Sequence, residues 1–86
     1  RYTGDHIFDY MEIDDQHAIF EVEVPEAWVG KRVGEVDIRK RFGISILGIR
    51  RSGKIDVFVT SDTVLSNDIT LLALGEYKSL QKCFKI

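Results

Sequence analysis

Apolar and polar residues alternate through Ile19-Phe20-Glu21-Val22-Glu23-Val24, and the alternation stops at Pro25, the only proline of the chain. Period two predicts a strand with Phe20, Val22 and Val24 turned inward and both glutamates in water. Proline cannot donate to a ladder, so the chain leaves the sheet there. Val29, Val33 and Val36 recur at spacings of four and three and predict a short helical face begun near Gly30. Asp37 is placed to cap a second short helix, Ile38 to Phe42, and Gly43 stands where a left-handed C-terminal residue belongs. Ile44 to Ile49 is an apolar run too short for a helix and predicts a mostly buried strand. Arg50 to Lys54 then reads as a turn and Ile55 to Val59 as the second arm of a hairpin.

Ser61 to Asp68 is turn material in which Val64 and Leu65 are expected to pin the loop to the core. Ile69 to Leu74 predicts another buried strand, closed by Gly75. A final helix from Glu76 carries Tyr77, Leu80 and Phe84 on one face, with Lys82 and Lys85 near its end, as the helix dipole prefers. The expected fold is α+β, with a small, mainly antiparallel sheet, short helices after the first strand and a C-terminal helix. Residues 19–86 form the domain. Residues 1–18, with Ile7, Phe8, Tyr10, Met11 and Ile13, are an entry segment: short helix, strand or linker, packing on the domain or on a partner.

Composition narrows the function classes. Eighty-six residues, 44% apolar and 30% charged, make one globular domain. No apolar run reaches the ~18–20 residues of a membrane span, and the first residues do not read as a secretion signal. Cys83 is the only cysteine, so no internal disulfide forms and a reducing, cytoplasmic setting fits. The net charge of −2 conceals a segregation: residues 1–26 carry eight acidic residues against Arg1, while residues 31–54 carry eight basic residues against Glu35 and Asp37. Either the two segments pair internally, or a basic surface meets something anionic.

No catalytic constellation is present. His6 with Asp9 is a weak metal pair, set against two solvated histidines with pKa values near ~6.5. Cys83 has lysines nearby that lower a thiol pKa, but a buried structural cysteine is the commoner case. Ser61-Asp62-Thr63 is ordinary turn chemistry. There is no glycine-rich phosphate loop, so the chain has no cradle of its own for NAD or ATP. Phe42 is the only aromatic residue in the basic segment, which leaves no stacking platform for nucleic acid. A small anionic ligand near the two short helices is the better specific reading.

Phe20-Glu21-Val22-Glu23-Val24-Pro25, Trp28-Val29-Gly30-Lys31 and Asp37-Ile38-Arg39-Lys40-Arg41-Phe42-Gly43-Ile44, in this order and spacing, resemble the C-terminal (TrkA-C) domain of RCK proteins. Among those regulators of potassium conductance, the likeness is greatest to the Ktr/Trk gating subunits. Ile49 to Lys54, Asn67-Asp68 and the stretch Ile69 to Gly75 continue the likeness, and Phe8 to Glu12 is similar to the segment entering the domain. The resemblance implies a non-catalytic, cytoplasmic regulatory domain. It would form a homodimer within a larger ring, under a membrane potassium channel or transporter subunit. NAD or ATP would bind a Rossmann-type N-terminal lobe that these residues do not include. It also implies cyclic di-AMP as a candidate effector at the two-fold. Ile38 and Ile44 match the apolar positions flanking the adenines, Val33 replaces a similar aliphatic, and Arg39 matches the phosphate-contacting arginine. Ser45 stands where asparagine is frequent, Lys54 where a histidine can stack, and Ser61 where proline is common. The alternatives are a pure oligomerisation domain without ligand, and the regulatory domain of a cation/proton antiporter or other ion transporter.

Overall fold

The computed structural model describes residues 7–86. Its frame is one antiparallel sheet of five strands in the order β1-β2-β5-β3-β4. The strands are β1 (Ile7–Glu12), β2 (His17–Glu23), β3 (Ser45–Arg51), β4 (Lys54–Asp56) and β5 (Ile69–Glu76). Helices α1 (Val33–Val36) and α2 (Ile38–Phe42) follow a 3-10 turn at Glu26–Trp28, and α3 (Tyr77–Phe84) ends the chain. Among the described residues no helix is long and apolar enough to cross a membrane.

β5 holds the middle, pairing with β2 from Glu76 to Thr70 and with β3 from Leu74 to Ile69. Every second residue along it is buried (Ile69, Leu71, Ala73 and Gly75), and β2 answers with Ala18, Phe20 and Val22. Leu80, Cys83 and Phe84 of α3 pack on that face, together with Val36, Ile38 and Ile44. Phe20 meets Tyr10 and Tyr77 edge to face, with ring centroids 5.9 and 6.1 Å away. The alternation at residues 19–24 thus selects the inward face as expected.

Residues 7–12 take the strand alternative open for the entry segment and pair with β2, which itself begins at His17. Several other local expectations are corrected. Val29, Val33 and Val36 do not share one helix: Val29 closes the 3-10 turn, Arg32 is extended, and α1 spans four residues. Asp37 makes no side-chain cap; it is itself left-handed (φ 58°) and joins α1 to α2, while Gly43 (φ 69°) ends α2 in the expected conformation. Arg50 and Arg51 belong to β3, and the turn is only Ser52-Gly53, both at positive φ, as a two-residue hairpin loop demands. β4 ends at Asp56, whose side chain accepts the Phe58 N–H at 2.9 Å and draws Val57 and Phe58 off the ladder. Gly75 lies within β5 rather than closing it. Leu65 is buried and pins its loop, whereas Val64 is half exposed and contributes a backbone bridge to Arg32.

Glu21 is not in water. On the face away from α3 it accepts Arg50 Nε at 2.8 Å, Arg50 Nη2 at 3.3 Å and the Thr70 hydroxyl at 2.6 Å, tying β2, β5 and β3 together. The Arg50 guanidinium holds its carboxyl below the usual range. A second ion pair joins Arg51 to Asp68 at 3.7 Å. The acidic and basic segments therefore pair internally in part. At the β1–β2 turn the Asp14 carboxylate accepts the N–H groups of Gln16 and His17 and lies 2.9 Å from His17 Nδ1. His17 consequently departs from ordinary solvated behaviour: the hydrogen bond to Asp14 raises its pKa.

Two outcomes follow. Glu21→Gln lowers stability in denaturant unfolding by about 1–2 kcal/mol at neutral pH. Because the folded-state pKa of Glu21 is depressed, that difference is present above the ordinary carboxylate range and disappears as pH falls through the folded value. In an NMR titration His17 protonates above its ordinary value of 6.5, and Asp14→Asn returns it toward that value. The contact's contribution to stability is full below 6.5 and fades as pH rises through the raised value.

Candidate functional site

The segment from Gly30 to Gly34 runs beside the loop 61–65 and is laced to it by backbone bonds. Gly30 N–H donates to Leu65 O at 2.8 Å, Leu65 N–H to Lys31 O at 2.8 Å, Val33 N–H to Thr63 O and Gly34 N–H to Ser61 O at 2.9 Å each. Gly34 is required by the closeness of this approach: a Cβ there would lie 2.9 Å from Ser61 Cβ and 3.0 Å from its carbonyl oxygen. These bonds also consume the first N–H groups of α1.

Between this braced pair and the start of β3 lies a cavity of about 280 Å3. Val33, Ile38, Arg39, Ile44 and Ser45, five of the six residues singled out in the sequence, line it together. Arg39 is exposed, and its Nη2 donates to Ser45 Oγ at 3.3 Å across the mouth. Ile38 and Ile44 are 2% and 1% exposed, so most of their surface serves the core. Lys54 is not among the lining residues; it sits at the start of β4, beyond the hairpin turn. Ser61, noted only for its departure from proline, does line the cavity.

Ile46, Val59, Thr60 and Asp37 complete the walls and escaped the sequence reading. Val59 is expected on a strand arm that ends three residues earlier, and Thr60 falls between the expected arm and the expected turn. A bulge in β3 between Ile46 and Gly48 resets the side-chain alternation and brings Ile46 to the cavity, which no period-two reading anticipates. Asp37 places a carboxylate on the same wall as Arg39, so one copy offers a phosphate one cation and one opposing charge.

Elsewhere, a hollow of about 410 Å3 beside Arg50 and a groove of about 730 Å3 between Trp28 and Phe84 are larger. In the first the arginine is already paired with Glu21; in the second two aromatic rings, 5.5 Å apart, form an apolar wall. Cys83 is buried, and burial raises its thiol to about 11, which leaves it unreactive at neutral pH. Thr60, Asp62 and Thr63 hydrogen-bond one another as a turn. Among the described residues no group of His, Cys, Asp and Glu is arranged to hold a metal, and the His6–Asp9 pair falls outside them through His6.

Against known proteins, residues 17–86 match the model of the TrkA-C domain family. Two curated relatives from Bacillus subtilis (strain 168) align over 80 residues, 93% of this chain: Ktr system potassium uptake protein C at 23% identity and protein A at 19%. The chain spans only 36% of the length of each. Among solved structures, the GsuK RCK domain superposes with a TM-score of 0.79 at 26% identity, over 93% of this chain and 18% of that one. The RCK C domain of the potassium transport protein KtrA, solved in complex with cyclic di-AMP, superposes with a TM-score of 0.75 at 27% identity, over 83% of this chain and 84% of that one.

Gly34→Ala forces Ser61 and its loop away from α1. The expected loss, read by thermal or denaturant unfolding, is about 1–3 kcal/mol, typical of an overpacked contact.

Proposed function

The chain belongs to the TrkA-C domain family, and on that premise we propose that it is a regulatory, gating domain of a potassium transport system that binds a small anionic effector such as cyclic di-AMP. The observation that carries this reading is the convergence of Val33, Ile38, Arg39, Ile44 and Ser45 on one cavity. It occurs in a fold shared with a KtrA domain solved with that nucleotide. The arginine supplies a charge-assisted donor to a phosphate, and the aliphatic walls accept the face of a base. The names of the Ktr relatives favour potassium uptake over an antiporter as the process regulated.

The size of the cavity supports a site shared by two copies. At about 280 Å3 it lies just below the ~300–1,000 Å3 usual for small-molecule sites, enough for about half of a cyclic dinucleotide. Two copies about a two-fold would each enclose one nucleotide half and present one Arg39 to each phosphate. A ligand held in this way favours one arrangement of the paired domains, by no more than its difference in affinity between the two arrangements. That bias passes to a membrane potassium channel or transporter subunit, with the domain on the cytoplasmic side at the inner face of the membrane. The domain itself carries out no chemistry, and NAD or ATP would be the business of a separate Rossmann-type lobe.

Calorimetric titration with cyclic di-AMP tests the reading. Arg39→Ala weakens binding by about 1.5–3 kcal/mol for each bond lost, while the unfolding free energy of the free protein hardly moves. In a thermal-shift assay, cyclic di-AMP at 100 times its Kd adds about 2.7 kcal/mol of stability. An unchanged affinity in Arg39→Ala overturns the site, and the absence of any shift with anionic ligands leaves an oligomerisation domain.

A further inference from the structure

The groove of about 730 Å3 between Trp28 and Phe84 shares no lining residue with the cavity beside Arg39. Its size falls within the ~300–1,000 Å3 usual for ligand sites. Its apolar lining comes from Val22 and Val24 at the end of β2 and from Cys83 and Phe84 of α3. All four are buried, so the core fixes their positions. Trp28 is half-buried, with its ring 5.5 Å from Phe84, and Val29 beside it is 40% exposed.

One bank is a single run of chain, residues 22–29. It starts as strand and continues through Pro25, at φ −55° and ψ 141°, before the 3-10 turn. The extended part from Val22 to Pro25 spans about 10 Å at ~3.3 Å per residue, and the turn lengthens the bank further. The groove is therefore a trough suited to a length of chain rather than a cup for one small molecule. Two polar groups along it match a peptide backbone. The indole N–H of Trp28 and the side-chain amide of Asn67 form no hydrogen bond among the described residues. The first donates, and the second both donates and accepts, as a peptide unit does.

Charge decides what such a segment carries. Glu26 is exposed and joins no ion pair among the described residues, and Glu23 stands three residues before it on the same bank. The last carbonyls of α3 have no intrahelical donor and carry partial negative charge, and this end of the helix reaches the groove at Cys83 and Phe84. The face of an indole attracts cations as well. Lys85, on the α3 bank, is the one opposing charge in the lining. We propose that the groove receives a peptide segment of a partner protein in which an arginine or lysine adjoins apolar side chains. The cation lies between Glu26 and the face of Trp28, and the apolar neighbours lie against Phe84 and Val24. This goes beyond the effector reading and is independent of it, since it needs neither Arg39 nor a nucleotide.

Trp28 is the only tryptophan of the chain, so its emission reports on the groove alone. The probe is the blocked pentapeptide acetyl-Leu-Arg-Phe-Arg-Leu-amide. Its controls are the same peptide with glutamate for both arginines, and agmatine, a free guanidinium amine. The basic peptide is expected to change Trp28 emission saturably, and high salt to weaken it. Glu26→Gln, at an exposed position, keeps the wild-type unfolding midpoint and weakens the peptide about fivefold, as loss of one exposed ion pair allows. Lys85→Gln removes the opposing charge and strengthens it. Equal binding of the glutamate peptide, unchanged affinity in Glu26→Gln, or no response to the basic peptide overturns the proposal. Agmatine binding as tightly as the peptide also overturns it, and makes the groove a site for small amines. Arg39→Ala binds the peptide as the wild type does, so a failure of the effector site leaves this outcome untouched.

Discussion

The register of β5 governs the rest of the molecule. Its buried residues Ile69, Leu71 and Ala73 face Phe20 and Val22 on one side and Ile49 on the other, under Leu80 and Phe84 of α3. A strand has a side-chain period of two, so a slip by one residue would turn Thr70, Leu72 and Leu74 inward and put the core set outside. The Thr70 hydroxyl would then leave Glu21, and the bond that joins β2 to Arg50 of β3 would lose its third member. Hydrophobic burial chooses the register; the Glu21–Arg50–Thr70 cluster makes the alternative worse.

That frame explains why the cavity lies where it does. The β3–β5 ladder carries a bulge just after Ser45 and Ile46, at the end nearest α2. The short helices are connected through a left-handed Asp37, which turns the chain so that Arg39 comes back over Ser45. Ile38 and Ile44, on either side of α2, anchor it in the core. The residues that hold the small helix in place are thus the same aliphatics that wall the cavity, so the apolar lining is set by folding while Arg39 stays exposed at its mouth.

Much of this was legible in the sequence, for identifiable reasons. The alternation in 19–24, the apolar run of β5 and the 3.6-residue face of α3 each bury one side, and burial writes a period into the residues. The convergence around Arg39 was accessible only through resemblance, because Val33, Ile38 and Ser45 share no period. What stayed open or escaped lacks a periodic signature. Residues 7–12, left open between helix, strand and linker, sit at a sheet edge with little burial, so their sequence need not alternate. The parity change at the β3 bulge and the early end of β4 are set by single backbone events. Glu21 was placed in water because one-dimensional alternation cannot see an arginine 29 residues away.

The lacing between residues 30–34 and the loop 61–65 has a consequence for how the domain transmits information. Four backbone hydrogen bonds and the buried Leu65 tie the two walls of the cavity into one stiff body. Such a cleft has no flap to swing shut, and a ligand's arrival cannot be recorded as a local closure. Under the proposed reading, the message would leave as a displacement of whole domains relative to one another. The module would then act as a rigid lever arm, with the amides of this brace among its slowest to exchange with solvent.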